Sequence, residues 1–197
     1  MNKRLGHTVV SVAFALLAGT TMAAEHSYDY AELRYVHAEI DDFGDVDGDG
    51  FNLAGSMEIH DNVHLFGSYE LLDYDDNVDS SFLQIGAGYM MPIATGADFV
   101  ARLSYVTGEF DVGPASFDDD GLGLSAGVRK SFAEEFEGRV FLNHVDLDDS
   151  GGTTSVEIAG DYFFDNQWAA GLSLEVGDDE TIFTIGGRYY FGRMGRR

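Results

Sequence analysis

Ten segments of the sequence alternate apolar residues with small or polar ones, and this period of two constrains the fold more than any other feature. In the stretch VHLFGSYEL, for example, Leu65 and Leu71 share one face, whereas His64 and Glu70 lie on the other. Each segment is about as long as a tilted strand that crosses a bilayer, roughly 9–11 residues. The segments cover, approximately, residues 28–39, 51–60, 63–74, 80–91, 98–109, 121–132, 136–147, 153–164, 167–177 and 180–191. The pattern therefore predicts an all-β protein.

The connections between the segments also alternate, both in length and in charge. Those after the second, fourth, sixth and eighth segments are short, such as HDN and AEE, whereas most of the others are longer and strongly acidic, such as DVGPASFDDD. Short turns on one side, longer loops on the other and an even strand number are typical of bacterial outer-membrane barrels. We therefore predict a transmembrane antiparallel up-and-down β-barrel of ten strands, with both termini in the periplasm. The alternative is an eight-stranded barrel in which one hairpin is a loop excursion.

Alternation alone does not decide which face points outward, because soluble β-barrels and sandwiches alternate in the same way. The polar face is rich in Gly and Ser with isolated Arg and Glu, as a crowded lumen requires, and Lys130 is the only lysine after residue 24. Aromatic residues gather near the segment ends, where membrane barrels carry their girdles. They include Tyr28, Tyr30, Tyr89, Phe132, Phe136, Tyr162, Phe163, Phe164, Trp168, Tyr189, Tyr190 and Phe191. These signs favour a barrel in the bacterial outer membrane over a soluble periplasmic β-domain that binds divalent cations.

The first 24 residues have the parts of a secretory signal peptide. A positively charged start precedes an apolar run over residues 9–18, and small residues follow, with cleavage expected after Ala23 or Ala24. The apolar run is too short for a transmembrane helix, which needs about 20 residues. The predicted organisation is a signal peptide over residues 1–24, a barrel over residues 25–191 and a short basic C-terminal extension over residues 192–197.

The chain is strongly acidic and has no cysteine. Its formal net charge is −24, and removal of the predicted signal peptide, which contains two basic residues and no acid, makes it more negative. A nucleic-acid partner is excluded, because phosphate binding requires a basic surface. An exported protein without cysteine cannot be stapled by disulfides, so the backbone ladder and packing must hold this fold together.

The predicted inward face carries charges of both signs. It contains Glu32, Arg34, Glu58, Glu70, Arg102, Arg129, Glu137, Arg139, Glu157, Asp161, Glu175 and Arg188. Because charges in a low-dielectric lumen are tolerated only when they are paired, we predict an Arg–carboxylate network. Such a network would fill a ten-stranded lumen, which is far narrower than that of an open porin with about 16 strands. The alternative is a small cation-preferring channel, since acids outnumber arginines inside and dominate the rim.

The stretch DDFGDVDGDGFN contains half of a calcium-binding loop. Asp45, Asp47 and Asp49 followed by Gly50 reproduce the D-x-D-x-D-G start of an EF-hand. Position 12 of that loop, where a bidentate glutamate belongs, is Ser56, and the residues that follow alternate as a strand. We therefore predict a non-helical surface loop whose three aspartates are candidate ligands for Ca²⁺ or Mg²⁺, which would bridge the protein to lipopolysaccharide. We expect no other cofactor.

The predicted outer loops together form an acidic rim. They hold 19 of the 35 acidic residues and no Lys or Arg. The members are Asp41, Asp42, Asp45, Asp47, Asp49, Asp73, Asp75, Asp76, Asp79, Asp111, Asp118, Asp119, Asp120, Asp146, Asp148, Asp149, Asp178, Asp179 and Glu180. Such a rim keeps the surface solvated without any ligand.

A histidine and a carboxylate lie close together in the seventh segment. His144 and Asp146 are two residues apart and therefore share a face, and His37 ends the first segment. A His–carboxylate pair is the minimum for general-base catalysis, but no nucleophile motif accompanies it. We therefore predict that the protein is not an enzyme and has no catalytic residue.

The last segment ends in GGRYYF, residues 186–191, which looks like the C-terminal strand signal by which outer-membrane proteins are recognised, although GRMGRR follows Phe191. This likeness implies the barrel-assembly machinery as a partner through Gly186–Phe191, besides outer-membrane lipid and lipopolysaccharide. The stretches DGDGFNLAGSMEIHDNVHLFGSYE and ADFVARLSYV resemble a family of small exported outer-membrane barrels within the OmpA-like grouping, discussed as sulfation-dependent quorum factors. The resemblance covers about residues 25–191 and implies no enzyme activity. We expect a structural or surface-interaction role.

Overall fold

The protein is a single closed β-barrel. The structure is a computed structural model that describes residues 26–40, 46–74, 78–178 and 180–191, so the predicted signal peptide and C-terminal extension lie outside the described residues. The strands are β1 (Tyr30–Ile40), β2 (Val46–His60), β3 (Val63–Tyr74), β4 (Val78–Ala94), β5 (Ala97–Val112), β6 (Ala115–Ala133), β7 (Phe136–Leu147), β8 (Gly151–Phe163), β9 (Trp168–Val176) and β10 (Glu180–Tyr190). The prediction of ten strands is confirmed, and the eight-stranded alternative is wrong.

Within these ranges there is no helix with the length and apolar character to cross a membrane.

Each strand pairs antiparallel with the next, and the first strand pairs with the last. The closing pair runs the full length of β1, from Tyr30 opposite Tyr190 to Ile40 opposite Glu180. Closure leaves no open sheet edge along the wall. This matters in hydrocarbon, because every backbone N–H and C=O group must be hydrogen-bonded within the protein there.

The barrel is apolar outside and charged inside. On β1, Leu33 is 55% exposed on the outer face, whereas its neighbour Glu32 is 5% exposed on the inner face. The same alternation exposes Leu53 and Leu122 while it buries Arg129. A soluble β-domain would have the opposite arrangement, so the protein is a transmembrane barrel.

The aromatic residues divide between the girdle and the lumen. Trp168 and Tyr189 pack against each other on the outer face with ring centroids 4.8 Å apart, as the girdle prediction requires. For Tyr28, Tyr30, Phe163 and Tyr190 that prediction is wrong, since all four are buried inside the barrel, at 1%, 9%, 6% and 0% exposure. Phe163 packs on Tyr190 there, with ring centroids 5.5 Å apart. The physical reason is that each tyrosine faces a lumen arginine, and the ring covers the guanidinium.

The strands extend beyond the apolar band, so much of the predicted acidic loop sequence is strand. The loop prediction is wrong for Asp47 and Asp49, since β2 begins at Val46. It is also wrong for Asp73, Asp79, Asp111, Asp118, Asp119, Asp120, Asp146 and Glu180, which lie in strands. Backbone pairing continues past the membrane because it satisfies N–H and C=O groups in water as well. Asp41, Asp42, Asp45, Asp75, Asp76 and Asp179 lie outside the described residues.

One such extension is the hairpin of β5 and β6. The two strands pair as far as Val112 opposite Ala115, around a two-residue turn. Gly113 has φ +59 and Pro114 follows it, which fits a type II′ turn. This hairpin therefore stands at the rim on a tight turn.

Candidate functional site in the barrel lumen

The periplasmic end of the lumen is occupied by the segment that precedes β1. We call His26–Asp29 the N-terminal strap. Tyr28, at its centre, packs in an apolar cluster with Met90, Val100 and Phe141. Its hydroxyl donates to Asp98 Oδ2 at 3.1 Å. The strap thus inserts an aromatic ring into the lumen from below.

Backbone and side-chain hydrogen bonds fix the strap at both ends. At one end, His26 Nδ1 lies 2.9 Å from Glu137 Oε2, and His26 Nε2 lies 3.1 Å from the carbonyl oxygen of Gly96. At the other end, the Tyr28 N–H donates to Glu58 Oε1 at 2.8 Å, and the Glu58 N–H donates to Asp29 Oδ1 at 2.7 Å. The strap therefore crosses the mouth between opposite parts of the wall.

Arg129 joins the strap to the wall. Its Nε donates to Glu137, and its Nη1 donates to the carbonyl oxygen of Ser27 at 2.8 Å. Its Nη2 donates to the Tyr190 hydroxyl at 3.1 Å, and its guanidinium lies 4.8 Å from the centre of the Tyr28 ring. One cation thus satisfies a buried acid and contacts both the first residues of the fold and its last strand.

A second charged cluster lies beside the first and is built around Arg188 and Arg139. Arg188 Nη2 lies 3.1 Å from Glu32, and Arg188 Nη1 lies 3.6 Å from Asp161. Arg139 Nη1 donates to the same Asp161 at 2.5 Å, and its Nε donates to Glu157 at 3.1 Å. Arg34 completes the cluster, with its Nη2 2.8 Å from Glu32. Each acid of this cluster is paired with at least one arginine, and buried charges are tolerated only when they are paired in this way.

Two inward side chains in this region rely on rings. Arg102 lies between Phe66 and Phe141, with its guanidinium 5.3 Å and 4.8 Å from the ring centres. His64 is fully buried and stacks on Tyr28 with centroids 4.8 Å apart. Within the described part of the protein, neither ring nitrogen of His64 has a hydrogen-bond partner. Aromatic faces therefore take the place of hydrogen bonds here.

The extracellular half of the lumen has a different chemistry. Two of its acids are held by neutral donors: Asn52 donates to Glu70 at 3.0 Å, and Asn143 donates to Glu175 at 3.1 Å. An apolar cluster also lies in this half, formed by Val36, Ala38 and Leu72 with Tyr74 and Ile182 packed against it. Charged, amide-lined and apolar groups thus follow one another along the barrel axis.

All twelve residues predicted for the inward face lie on it, and the structure brings eight of them into direct ion pairs. Those eight are Glu32, Arg34, Arg129, Glu137, Arg139, Glu157, Asp161 and Arg188. The strap residue His26, which was not predicted, lies opposite Glu137. Glu58, Glu70, Glu175 and Arg102 make the other contacts described above. Sequence reasoning missed the strap, because its residues precede the first strand and have no partner that alternation can reveal. It also missed His64, whose inward parity was the available signal.

The three aspartates proposed as metal ligands do not form one group among the described residues. Asp47 and Asp49 point outward on β2, and Asp45 lies outside the described residues. Asp49 already accepts hydrogen bonds from the Tyr35 hydroxyl at 2.5 Å and from His37 Nδ1 at 2.8 Å. In the parts of the chain that the structure describes, no three His, Asp or Glu side chains are arranged to hold a metal ion.

The histidines considered for catalysis make rim contacts. His144 Nδ1 lies 2.9 Å from the Thr154 hydroxyl on β8, and His37 contacts Asp49 on β2. Both side chains are on the outer face of the wall, away from the lumen. These contacts orient surface imidazoles.

Acids face one another across the strands above the apolar band. In register, Asp49 is opposite Asp73, Asp73 is opposite Asp79, and Asp79 is opposite Asp111. A hydrogen bond to Asp73 raises the pKa of Asp79, and repulsion from Asp73 and Asp111 adds to the effect. This row is exposed to water above the hydrocarbon, where like charges are least costly.

Similar proteins are found among solved structures. No protein-family profile and no curated protein matches the sequence. Among solved structures, the chain is similar to a KdgM porin, at 15% identity over 82% of this chain and 99% of that one, with a TM-score of 0.45. It is also similar to the N-terminal β-barrel domain of Pseudomonas aeruginosa OprF, at 15% identity over 84% and 100% of the chains, with a TM-score of 0.45.

A third similar structure is Ail, the attachment invasion locus protein of Yersinia pestis, at 17% identity over 86% of this chain and 100% of that one, with a TM-score of 0.43. All three neighbours are outer-membrane barrels, and the protein described here is one by the architecture of its wall. The resemblance to the quorum-factor family stays a prediction.

Proposed function

We propose that this protein is a closed outer-membrane barrel with a structural or surface-interaction role, whose working surface is the acidic extracellular rim. The observation that carries the proposal is the N-terminal strap. Its Tyr28 is 1% exposed inside the periplasmic mouth. A pore needs a continuous water path, and a buried aromatic ring in the mouth blocks one.

Two further layers support a closed lumen. Above the strap, the arginines pair with acids across the barrel, so that Arg188 alone contacts both Glu32 and Asp161. Higher still, Val36 and Ala38 are 0% exposed, which means that side chains cover them completely. Ten strands enclose a lumen that such side chains can fill.

A small cation-preferring channel is the second candidate. The observation that favours it is the acid excess of the extracellular half, where Glu70, Glu175 and Glu180 repel one another. If the packing layers open, these carboxylates would attract cations and repel anions.

The proposed partners follow from the surface. Outer-membrane lipid covers the apolar band, and Ca²⁺ or Mg²⁺ would link rim carboxylates to lipopolysaccharide phosphates. The strand end Gly186–Phe191 is the segment that we propose the barrel-assembly machinery recognises. Phe191 is 53% exposed at the periplasmic end of the outer face, where a partner can reach it.

Single-channel recording on residues 25–197 refolded in detergent tests the proposal. We expect a silent wild-type barrel, with and without millimolar Ca²⁺, after heat-modifiable gel mobility has shown that it is folded. Tyr28→Ala should raise the frequency of brief current steps above that of the silent wild type, because it removes one of the three layers that close the lumen. Tyr69→Ala is the matched control, since Tyr69 lies on the outer face at 44% exposure. Steady cation-selective steps from the wild type would overturn the closed barrel in favour of the channel.

A further inference from the structure

The β5–β6 hairpin extends past the strand that follows it. We call residues 109–120 the rim hairpin. β6 pairs with β5 from Ala115, but it pairs with β7 only from Gly121. The turn after β7 reaches the next residues, with the Asp149 and Ser150 N–H groups donating to Asp119 and the Asp148 N–H donating to the Asp120 carbonyl oxygen. Between residues 115 and 118 the second edge of β6 has no strand partner in the described structure.

One face of the rim hairpin is apolar and faces the barrel mouth. Phe110 and Phe117 are opposite each other in register, and Val112 follows on the same face. Phe110 packs edge-on against Phe82, with centroids 5.1 Å apart. Phe117 is 60% exposed and Val112 is 47% exposed. These side chains stand beyond the acids of the rim, where lipid does not cover them, so the apolar face meets water.

Four acids line the opposite face of the hairpin, at Glu109, Asp111, Asp118 and Asp120, and Asp119 lies next to the apolar face. The described Lys and Arg side chains lie lower in the barrel, at Arg34, Arg102, Arg129, Lys130, Arg139 and Arg188. The hairpin therefore combines a free strand edge, an exposed aromatic face and an uncompensated negative field.

We propose that the rim hairpin binds a cationic amphipathic polypeptide in extended conformation. The partner's backbone would pair with β6 over residues 115–118, its alternate apolar side chains would cover Phe117 and Val112, and its Lys or Arg side chains would meet the flanking acids. A second copy of this chain would bring its own acids to the same place and be repelled. A small cation would leave the apolar face in water. The inference rests on the proposed role of the rim as the working surface.

The experiment measures binding of a fluorescent peptide of alternating Lys and Val to the refolded barrel in phosphatidylcholine nanodiscs, with empty nanodiscs subtracted. We expect saturable binding that weakens as salt rises. A peptide of alternating Lys and Ser has the same charge and should bind at least about tenfold more weakly, since roughly 1.4 kcal/mol separates tenfold steps in Kd.

Variants then locate the site. The double variant Phe117→Ser with Val112→Thr should lose at least about tenfold in affinity for the Lys–Val peptide and no more than a small part of its affinity for the Lys–Ser peptide. A second double variant, Asp111→Asn with Asp118→Asn, removes two charges from the hairpin and should weaken binding strongly. Its matched control, Asp146→Asn with Asp148→Asn, removes two charges beside the hairpin and should leave binding nearly unchanged.

Equal affinity for the two peptides, or an unchanged Kd in the Phe117 variant, would overturn the inference. Recording current through the same preparation separates the two proposals. If the barrel carries no current and does not bind the peptide, only the inference is refuted. If the barrel conducts and the peptide blocks the current, the closed lumen is refuted.

Discussion

The two ends of the barrel carry charge in opposite ways. At the periplasmic end, Arg129 and Glu137 are 5% and 3% exposed and touch each other. At the extracellular end, Asp73 and Asp79 face each other in register with water around them. At these two places, opposite charges meet where the side chains are desolvated, and like charges meet where solvent screens them.

This difference indicates that the periplasmic end stabilises the fold and that the extracellular end tolerates substitution. Breaking a buried pair leaves an uncompensated charge, so the periplasmic half tolerates few changes. Exposed carboxylates contribute little to stability and can be replaced or repositioned. The rim is therefore the part of the molecule where side chains can change without loss of the barrel.

The largest expected effect comes from removing the cation at the periplasmic end. Arg129→Ala leaves Glu137 buried without its arginine, and we expect a loss of about 3–5 kcal/mol in the free energy of unfolding. Urea unfolding of the folded barrel, followed by tryptophan fluorescence, measures it. Arg129→Met with Glu137→Gln removes both charges and should recover much of the loss; a double variant as unstable as the single one would show that charge burial is not the cause.

A smaller effect is expected from adding a methyl group at Gly88, which lies against the ring of His64. A Cβ at Gly88 would lie 2.2 Å from His64 Cε1, so Gly88→Ala must displace a buried ring that supports Tyr28. We expect a destabilisation of about 1–3 kcal/mol, as for other overpacked cores, seen as a lower urea midpoint. Gly187→Ala is the matched control, since its Cβ would come no closer than 3.9 Å to the Ala169 oxygen. Equal midpoints for the two variants would contradict the packing described for His64.

Removing one tyrosine hydroxyl at each end compares the contributions of the two ends to stability. Tyr28→Phe removes the buried hydrogen bond to Asp98, and we expect a cost of about 0.5–1.5 kcal/mol. Tyr35→Phe removes the exposed hydrogen bond to Asp49, and its urea midpoint should stay close to that of the wild type. A larger loss at Tyr35 than at Tyr28 would reverse the assignment of structure to one end and solvation to the other.

The smallest expected effect is an increase in stability on removal of one rim carboxylate. Because a hydrogen bond to Asp73 raises the pKa of Asp79, ionisation of this pair opposes folding. A raised carboxyl pKa means that stability falls as the pH rises from the ordinary Asp value, about 3.9, through the folded pKa. Asp79→Asn should therefore raise the urea midpoint slightly at pH 7. The gain should vanish below the ordinary Asp pKa, and a gain that persists there would point to a cause other than charge.

Alternation predicted the wall well because the inward and outward faces of a membrane strand differ sharply in chemistry. It placed Glu32, Arg188 and the other lumen charges on the correct face without any knowledge of their partners. It failed where period two carries no information. Tyr28 lies outside any strand, and the limits of β2 at Asp47 depend on backbone pairing, which polar side chains do not reveal.

The anchors of the N-terminal strap impose an order on assembly. His26 contacts Glu137, which lies 111 positions later in the chain, and Ser27 contacts Arg129, which lies 102 positions later. The strap can dock only after β6 and β7 have taken their places, and contacts of such long sequence separation form slowly. The first residues of the described fold are thus among the last to reach their final positions, and the mouth closes after the wall has formed.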